Sequence, residues 1–272
     1  MNFRTAILAF CMLVNATLLQ AQKDSLIRSK QLSVLFGYGN YGALETYLSP
    51  YKYSGTDYRL IGELSAFRNE NKLFLQHTLN LNYSKLTNFS GRGLSHVGMA
   101  DYTYGRHYKV WQNSHYQWFV GPSMTANFGA IYNVRNDNNP VQVKAAINLN
   151  LSSMEEYRFK LKSRPITVRY EFRIPMLGAG FAPEYGASYY EMFQLGNTKG
   201  IVHFLSLHNQ LAMQNCITVN VPIGGNNLRV GYYNNYYQTR INSLETSLTA
   251  HNFVLGYSGE IFTVAHHKKG KR

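Results

Sequence analysis

Apolar and polar residues alternate along most of this chain, with the period of two that is typical of β-strands. In residues 73–84 the odd positions are mainly leucine, whereas the even positions are mainly polar, from Gln76 to Ser84. Residues 141–162 keep one parity over a longer run, broken only at Ser153 and Glu155. We interpret that run as one long strand, bulged at the break.

This alternation predicts ten strands, separated by segments rich in glycine, proline or polar residues. The predicted strands span residues 31–38, 57–67, 73–84, 96–110, 116–128, 141–162, 166–174, 201–221, 228–237 and 248–264. Residues 39–56 and 238–247 are predicted to be loops. Splitting 141–162 or 201–221 would give twelve strands, which is the alternative.

The same alternation fits two kinds of all-β protein. A transmembrane β-barrel turns its apolar face outward to lipid and its polar face inward, whereas a soluble sandwich does the reverse. The chain has 14% aromatic residues, 22 of its residues are tyrosine, and only 15% are charged. This composition, together with the signs of export described next, favours an antiparallel transmembrane β-barrel.

The N-terminus has the pattern of a secretory signal peptide. Arg4 precedes an apolar run at residues 6–19, and Ala21 offers a cleavage site. The predicted organisation is a signal peptide at 1–21, a barrel at 22–264 and a basic tail at 265–272. Cleavage leaves one cysteine, Cys216, so an internal disulfide is excluded. Cys216 is expected to be an inert thiol that faces inward. The expected location is the outer membrane of a Gram-negative bacterium.

Loop lengths predict which way the barrel faces, because bacterial barrels have short periplasmic turns and longer outer loops. Ten strands place the short turns at 68–72, 112–114, 163–165 and 224–227 on the periplasmic side. They place residues 175–200 outside. That segment is rich in glycine and aromatic residues and lacks strand alternation. It is therefore predicted to be one long, ordered loop.

Two sets of residues are candidates for a site in the lumen. The first is a basic ladder on the inward parity of two adjacent predicted strands, formed by Lys144, Arg158, Lys160, Lys162, Arg169 and Arg173. The second is a set of binding or plug residues in the long loop, formed by Glu184, Tyr185, Ser188, Tyr189, Tyr190 and Glu191. The favoured interpretation is that loop carboxylates and hydroxyls dock onto the ladder. The ladder can instead attract an anion into a narrow pore.

No strong catalytic motif is present. Ser206 and His208 are two residues apart on one predicted strand, which makes them weak candidates for a nucleophile and its base. The structural alternative, a polar row in the lumen, is favoured. The sequence has no metal-ligand spacing and no nucleotide fingerprint, so neither a metal nor a cofactor is predicted, and His266 and His267 are expected to be solvated.

The net charge of +13 suggests an anionic partner. Nucleic acid is not expected, since an exported chain rarely meets it, so outer-membrane lipid and a small solute are the expected partners. The first functional hypothesis is a narrow, loop-plugged channel or binding barrel for a small, anionic solute. The alternatives are a structural or partner barrel without transport and, as the weakest, a membrane lipid hydrolase.

Three segments carry a resemblance to a known family. They are FAPEYGASYYEMF at residues 181–193, RPITVRY at 164–170 and VHFLSLHN at 202–209. Together they resemble an uncharacterised family of outer-membrane β-barrels of Bacteroidetes, and the Ala21-Gln22 start resembles signal peptides of that phylum. The resemblance implies an exported barrel with a loop of the PEYGxSYYE type. It implies no activity, so no catalytic residue is carried over.

Overall fold

The computed structural model describes residues 25–68, 72–136, 139–198 and 200–266. The chain divides into two compact units, one of residues 31–259 and one of residues 1–30 with 260–272. In the second unit, the described residues 25–30 and 260–266 are extended strand. The predicted signal peptide lies outside the described residues, and so does most of the predicted tail. The first two residues of the predicted tail, Ala265 and His266, belong to the last strand.

The described chain is almost entirely β-strand, with one short helix. The strands are β1 (Ser25–Glu45), β2 (Ser49–Arg68), β3 (Leu73–Asn88), β4 (Leu94–Gln112), β5 (Tyr116–Asn133), β6 (Val141–Leu161), β7 (Arg164–Phe181), β8 (Val202–Ser206), β9 (Gln210–Ile223), β10 (Asn226–Ile241) and β11 (Leu244–His266). Helix α1 (Tyr189–Phe193) lies between β7 and β8. In the described part of the chain, no helix is long and apolar enough to span a bilayer.

Ten of the strands form a closed antiparallel ring. Each strand from β1 to β7 pairs with the next, β7 pairs with β9, and β9, β10 and β11 follow in order before β11 meets β1. The short β8 pairs only with β7 and adds no member to the ring. The predicted count of ten is therefore confirmed. The alternative of twelve strands is wrong, because β6 is one unbroken strand and β8, although separate from β9, lies outside the ring.

The barrel has an apolar exterior and a polar interior. On the outer surface, Leu79 is 46% exposed and Phe253 is 77% exposed. On the inner surface, Asn80 and Asn148 are each 4% exposed, although asparagine normally lies on the surface of soluble proteins. This inverted burial is the pattern of a transmembrane barrel. It confirms the predicted fold class and excludes the soluble sandwich.

The connections between strands fall at two ends of the barrel. The loop end carries the connections at 46–48, 89–93, 134–140, 182–201 and 242–243, and the turn end carries those at 69–72, 113–115, 162–163 and 224–225. Several are two-residue hairpin turns with positive φ at both positions, as at Asn242 (53°) and Ser243 (60°). The four predicted short turns all lie at the turn end.

The prediction that residues 39–56 form a loop was wrong, because β1 and β2 run through most of this segment. The glycines of this segment were interpreted as loop residues, although they lie within strands. A Cβ atom at Gly39 would lie 1.8 Å from the His251 carbonyl oxygen, and one at Gly55 would lie 2.2 Å from that of Lys85. These glycines permit close approach of neighbouring strands and do not mark a turn. The predicted loop at 238–247 was also wrong, since only residues 242–243 form a turn.

The long loop begins later than predicted. Strand β7 continues through Pro175 to Phe181, so the loop comprises residues 182–201 and contains α1. The predicted single strand at 201–221 is interrupted, because residues 207–209 leave the sheet between β8 and β9. Ser206 pairs with Leu177 and Gln214 pairs with Arg173, so seven residues (207–213) lie opposite three of β7 (174–176).

Candidate functional site

A layer of buried charged side chains fills the lumen near the turn end. Arg169 Nη1 lies 2.8 Å from Glu63 Oε1, and Arg169 Nε donates to Glu156 Oε1 at 2.9 Å. Arg229 lies 3.0 Å from the other oxygen of Glu63 and 3.4 Å from Glu171 Oε1. We call these five residues the ionic layer. They come from β2, β6, β7 and β10, so the layer crosses the barrel.

Neutral side chains complete the coordination of the ionic layer. Arg229 also donates to Thr218 Oγ1 at 3.0 Å and to Ser33 Oγ at 3.3 Å. Arg169 reaches Gln31 Oε1 at 3.2 Å, and Gln76 Nε2 donates to Glu171 at 2.9 Å. Buried charges persist only when they are paired and hydrogen-bonded, and this layer meets both conditions.

An aromatic cluster lies beneath the ionic layer. Phe67, Phe74 and Phe119 have ring centroids 5.0–6.0 Å apart, and Met154 packs with them. The Arg169 guanidinium carbon lies 5.5 Å from the centroid of the Phe74 ring. Phe74 and Phe119 are both 0% exposed, so the cluster is closely packed. The ionic layer and the aromatic cluster together close the turn end of the lumen.

A chain of directed hydrogen bonds runs along the inner wall of the barrel above the ionic layer, from β2 through β3, β4 and β5 to β6. Arg59 donates through Nη1 to Asn80 Oδ1 at 2.9 Å, and Asn80 Nδ2 donates to Asp101 at 3.3 Å. Further along the wall, Asn127 Nδ2 donates to Asp101 at 2.7 Å, and Asn127 Oδ1 accepts from Asn148 Nδ2 at 3.2 Å. We call these five residues the amide chain. Asp57 neutralises Arg59 at 2.9 Å.

A cavity of about 120 Å³ occupies the lumen between the amide chain and the loop end. Its charged lining consists of Glu45, Arg59, Asp101, Lys144 and Arg173. Amide and hydroxyl groups supply most of the remaining polar surface, and they include Asn82, Asn127, Gln142, Asn148, Gln210 and Thr246. Two of the charged residues neutralise each other, because Lys144 forms an ion pair with Glu45.

Three buried polar atoms on the cavity lining have no hydrogen-bond partner among the described residues. They are Nε of Arg173, Oδ1 of Asn148 and Nε2 of Gln210. These side chains are 8%, 4% and 2% exposed. An unpartnered buried polar atom costs about 1–3 kcal/mol, so a polar ligand that supplied partners to these three side chains would be stabilised.

The loop of residues 182–201 is held to the barrel by tyrosine hydroxyls. Tyr189 donates its hydroxyl proton to Gln142 Oε1 at 3.2 Å and accepts from the Val143 backbone N–H at 2.7 Å. Burial raises the pKa of Tyr189 to about 12. Tyr47, in the turn between β1 and β2, donates to the Ala187 carbonyl at 2.7 Å, and burial together with nearby Glu45 raises its pKa.

The other predicted loop residues stabilise the loop itself or lie in solvent. Ser188 and Glu191 form a capping box at the start of α1, with distances of 3.1 and 3.2 Å. Glu184, Tyr185 and Tyr190 are exposed. In the described part of the chain, neither loop glutamate forms an ion pair with the basic ladder. The expected docking of carboxylates is absent there, and only the Tyr189 hydroxyl bonds to the lumen wall.

The structure divides the predicted basic ladder. Arg169 and Arg173 lie inside the lumen, and Lys144 lies near the loop end. Arg158, Lys160 and Lys162 are exposed near the turn end. The ladder is therefore not continuous, because the inward row of β6 leaves the lumen after Glu156. Arg169 is neutralised by glutamates of the barrel wall.

Ser206 and His208 lie where the sheet is interrupted between β8 and β9. The Ser206 hydroxyl is 2.5 Å from His208 Nδ1, so the two residues do meet. His208 is exposed on the connection at 207–209 and does not line the cavity. In the described residues, no carboxylate hydrogen-bonds to this histidine, and no cluster of metal ligands is present.

The residues that define the cavity were only partly predicted. Lys144 and Arg173 were assigned to the ladder, but Arg59, Asp101 and Asn148 were not assigned to any site. Their common signal is inward parity in three different predicted strands. Inward parity shows that an asparagine faces the lumen, but not which side chain it hydrogen-bonds to there.

Among curated proteins, none matches this sequence. The outer membrane protease OmpT from Escherichia coli is similar in structure, with 5% identity, a TM-score of 0.48, and coverage of 89% of this chain and 99% of that chain. The transport unit of the autotransporter AIDA-I from Escherichia coli has 9% identity and a TM-score of 0.46, covering 95% and 97%.

The COG4313 outer membrane channel from Pseudomonas putida F1 has 9% identity and a TM-score of 0.37, covering 89% and 100%. These values are too low to carry an inference about function. The sequence itself matches a family over residues 6–268, which is nearly its full length. The chain therefore belongs to the family described as "Protein of unknown function (DUF3316)".

Proposed function

We propose that this protein is an outer-membrane barrel that binds a small, polar solute in the loop half of its lumen and keeps the turn half closed. The observation that carries the proposal is the cavity of about 120 Å³ lying above a closed ionic layer. The proposal keeps two of the predicted properties, a narrow interior and a site for a small solute. The loop end then faces the outside of the cell.

The exterior of the barrel supports the membrane location. Large apolar side chains are exposed on strand after strand, among them Phe36 at 54%, Leu149 at 49% and Leu255 at 55%. Such a continuous apolar surface is rare on a soluble monomer but typical of a barrel that faces lipid. Export by a signal peptide at 1–21 and an origin in Bacteroidetes stay predictions.

The interior supports binding without open passage. About eight strands leave a lumen that side chains just fill, and ten leave little more. Here the ionic layer and the aromatic cluster occupy the turn half, while the loop half contains the cavity. A solute that enters from the loop end therefore meets polar groups first and closed packing beyond them.

Planar-bilayer recording tests the closed half of the lumen. We expect the refolded barrel to insert without steady open-pore conductance, because the ionic layer crosses the lumen. Insertion is verified by heat-modifiable gel migration, which is lost on boiling. A stable conductance of the size expected for an open ten-stranded pore would contradict the proposed closure.

Calorimetry tests the binding half of the proposal. The refolded barrel in detergent micelles is titrated with four probes of similar size: acetate, glycolate, glycine and glycerol. We expect saturable binding of at least one probe. If none binds, the lumen does not serve as a solute site, and the predicted alternative of a structural or partner barrel takes its place.

The lipid hydrolase alternative has one observation in its favour, the contact between Ser206 and His208. His208 is exposed on the connecting segment at 207–209, so a substrate would find no pocket there. Lipase assays with the Ser206→Ala variant decide this point. Activity in the unmodified protein that disappears in the variant would support the hydrolase over the binding barrel.

A further inference from the structure

We propose that the lumen cavity selects a small carboxylate that carries a hydrogen-bond donor beside its carboxyl group, that is, an α-hydroxy or α-amino acid. This inference rests on the solute-binding function proposed above and adds the chemical class of the solute. Three features of the cavity lead to it: the charge at Arg173, the direction of the amide chain, and the size of the space.

Arg173 supplies the recognition of the carboxylate. The other two basic residues of the lining are neutralised within the barrel, Arg59 by Asp57 and Lys144 by Glu45. In the described part of the chain, Arg173 has no ion pair. Its Nη1 donates to Gln214 at 3.2 Å and to Thr103 at 3.5 Å, both neutral.

The Nε atom of Arg173 is buried and has no acceptor among the described residues. A guanidinium presents pairs of N–H donors that match the two oxygens of a carboxylate. A buried arginine without an ion-pair partner is costly, so an anionic ligand stabilises it more than an exposed one. The unpartnered Nε2 of Gln210 offers a further donor on the same lining.

Asn148 supplies recognition of the donor, and the amide chain fixes which way its side chain points. Both carboxylate oxygens of Asp101 accept amide protons, from Asn80 Nδ2 at 3.3 Å and from Asn127 Nδ2 at 2.7 Å. The Oδ1 of Asn127 is then the acceptor for Asn148 Nδ2, at 3.2 Å. The oxygen of Asn148 is consequently left over as a buried acceptor, which a ligand hydroxyl or ammonium group satisfies.

The size of the cavity limits the ligand to a few non-hydrogen atoms. A cavity of about 150 Å³ holds a benzene molecule, and this one measures about 120 Å³. A two- to four-carbon acid fits this space. Larger acids would have to displace Phe181, at the end of β7, or the loop residues Ala182 and Pro183, which line the same cavity.

Calorimetry with matched acids tests the inference. Glycolate and glycine differ from acetate by one added donor group. We expect both to bind about tenfold more tightly than acetate, because acetate leaves the Asn148 oxygen unpaired. In Asn148→Ala the ratio should fall to about one. In Arg173→Gln the affinity for all three acids should fall at least about tenfold.

Lys160→Gln is the matched control, since it removes an exposed positive charge from the same barrel and should leave every affinity unchanged. Equal binding of acetate, glycolate and glycine overturns the inference, and so does a ratio that persists in Asn148→Ala. If Arg173→Gln fails to fold, the ratio in the unmodified barrel and in Asn148→Ala still decides. Absence of binding by every probe instead overturns the proposed function.

Discussion

The ionic layer makes a quantitative prediction for Arg229. This side chain is 2% exposed and donates to four acceptors: Glu63 at 3.0 Å, Thr218 at 3.0 Å, Ser33 at 3.3 Å and Glu171 at 3.4 Å. The layer contains two arginines and three glutamates. Substituting Arg229→Met leaves Arg169, together with the half-exposed Arg158 that pairs with Glu156 at 2.7 Å, to neutralise three carboxylates.

The expected loss of stability is about 3–5 kcal/mol, the usual cost of removing one partner from a buried ion pair. That corresponds to roughly two to four powers of ten in the unfolding equilibrium. The cost arises from the charges left behind more than from the lost attraction. Removing Glu63 as well, in Arg229→Met with Glu63→Met, should therefore recover a substantial part of it.

Urea unfolding of the barrel in lipid vesicles measures this change. The protein has two tryptophans, Trp111 and Trp118, which are 50% and 39% exposed on the barrel surface, so their fluorescence reports the loss of lipid contact. Arg240→Met is the control, because it removes an exposed arginine from the same strand. Its effect should stay within about 0.5 kcal/mol.

Two results would refute this account of the layer. One is a loss of less than about 1 kcal/mol for Arg229→Met, the range of an exposed pair, which would mean that the layer is hydrated and not buried. The other is a double variant whose loss of stability, relative to the unmodified protein, equals the sum of the losses in the two single variants. Additivity of that kind would show that the two side chains are not coupled.

Three further predictions concern the loop, the exterior and the aromatic cluster. Tyr189→Phe should weaken docking of the loop by about 1 kcal/mol and speed amide hydrogen exchange in residues 182–198. Because burial raises the pKa of Tyr189 to about 12, docking should be complete below pH 10 and decline as the pH rises towards 12, a dependence absent from the variant. Leu149→Arg should destabilise the barrel in vesicles by about 2–4 kcal/mol, and an unchanged urea midpoint would contradict the lipid-facing position. Phe74→Ala should cost about 3–5 kcal/mol in the same assay, whereas a negligible cost would show a loosely packed turn end.

The strand pattern was predictable from the sequence because lipid on one side and polar groups on the other impose a strict period of two. Parity assigned Leu149 outward and Asn148 inward, and the structure agrees. Element ends were less predictable, since glycine serves two purposes in a barrel. At Gly39 it allows neighbouring strands to approach closely, whereas at Gly224, with φ 56°, it forms a turn.

The site was harder to predict because it depends on contacts between side chains of different strands. Parity alone shows that Arg59 and Asp101 face the lumen, but not that Asn80 joins them. Arg173 illustrates the difference most clearly. It was grouped with Arg169 as part of one ladder, but Arg169 meets two glutamates of the barrel wall at short distance whereas Arg173 meets none in the described chain. Only the closed ring shows which cation has a counter-charge.

Charge in the lumen differs from the charge of the whole chain, and this bears on what the barrel attracts. The charged side chains of the ionic layer, the amide chain and the cavity, together with Asp57, comprise five basic and six acidic residues, which leaves −1, whereas the whole chain carries +13. They are Arg59, Lys144, Arg169, Arg173 and Arg229 with Glu45, Asp57, Glu63, Asp101, Glu156 and Glu171. The positive excess therefore lies outside these networks, where it suits anionic lipid headgroups. An anion in the lumen would be held by Arg173, which has no ion-pair partner in the described chain, and not by a positive field along the barrel, so its affinity should depend on that residue far more than on the net charge of the protein.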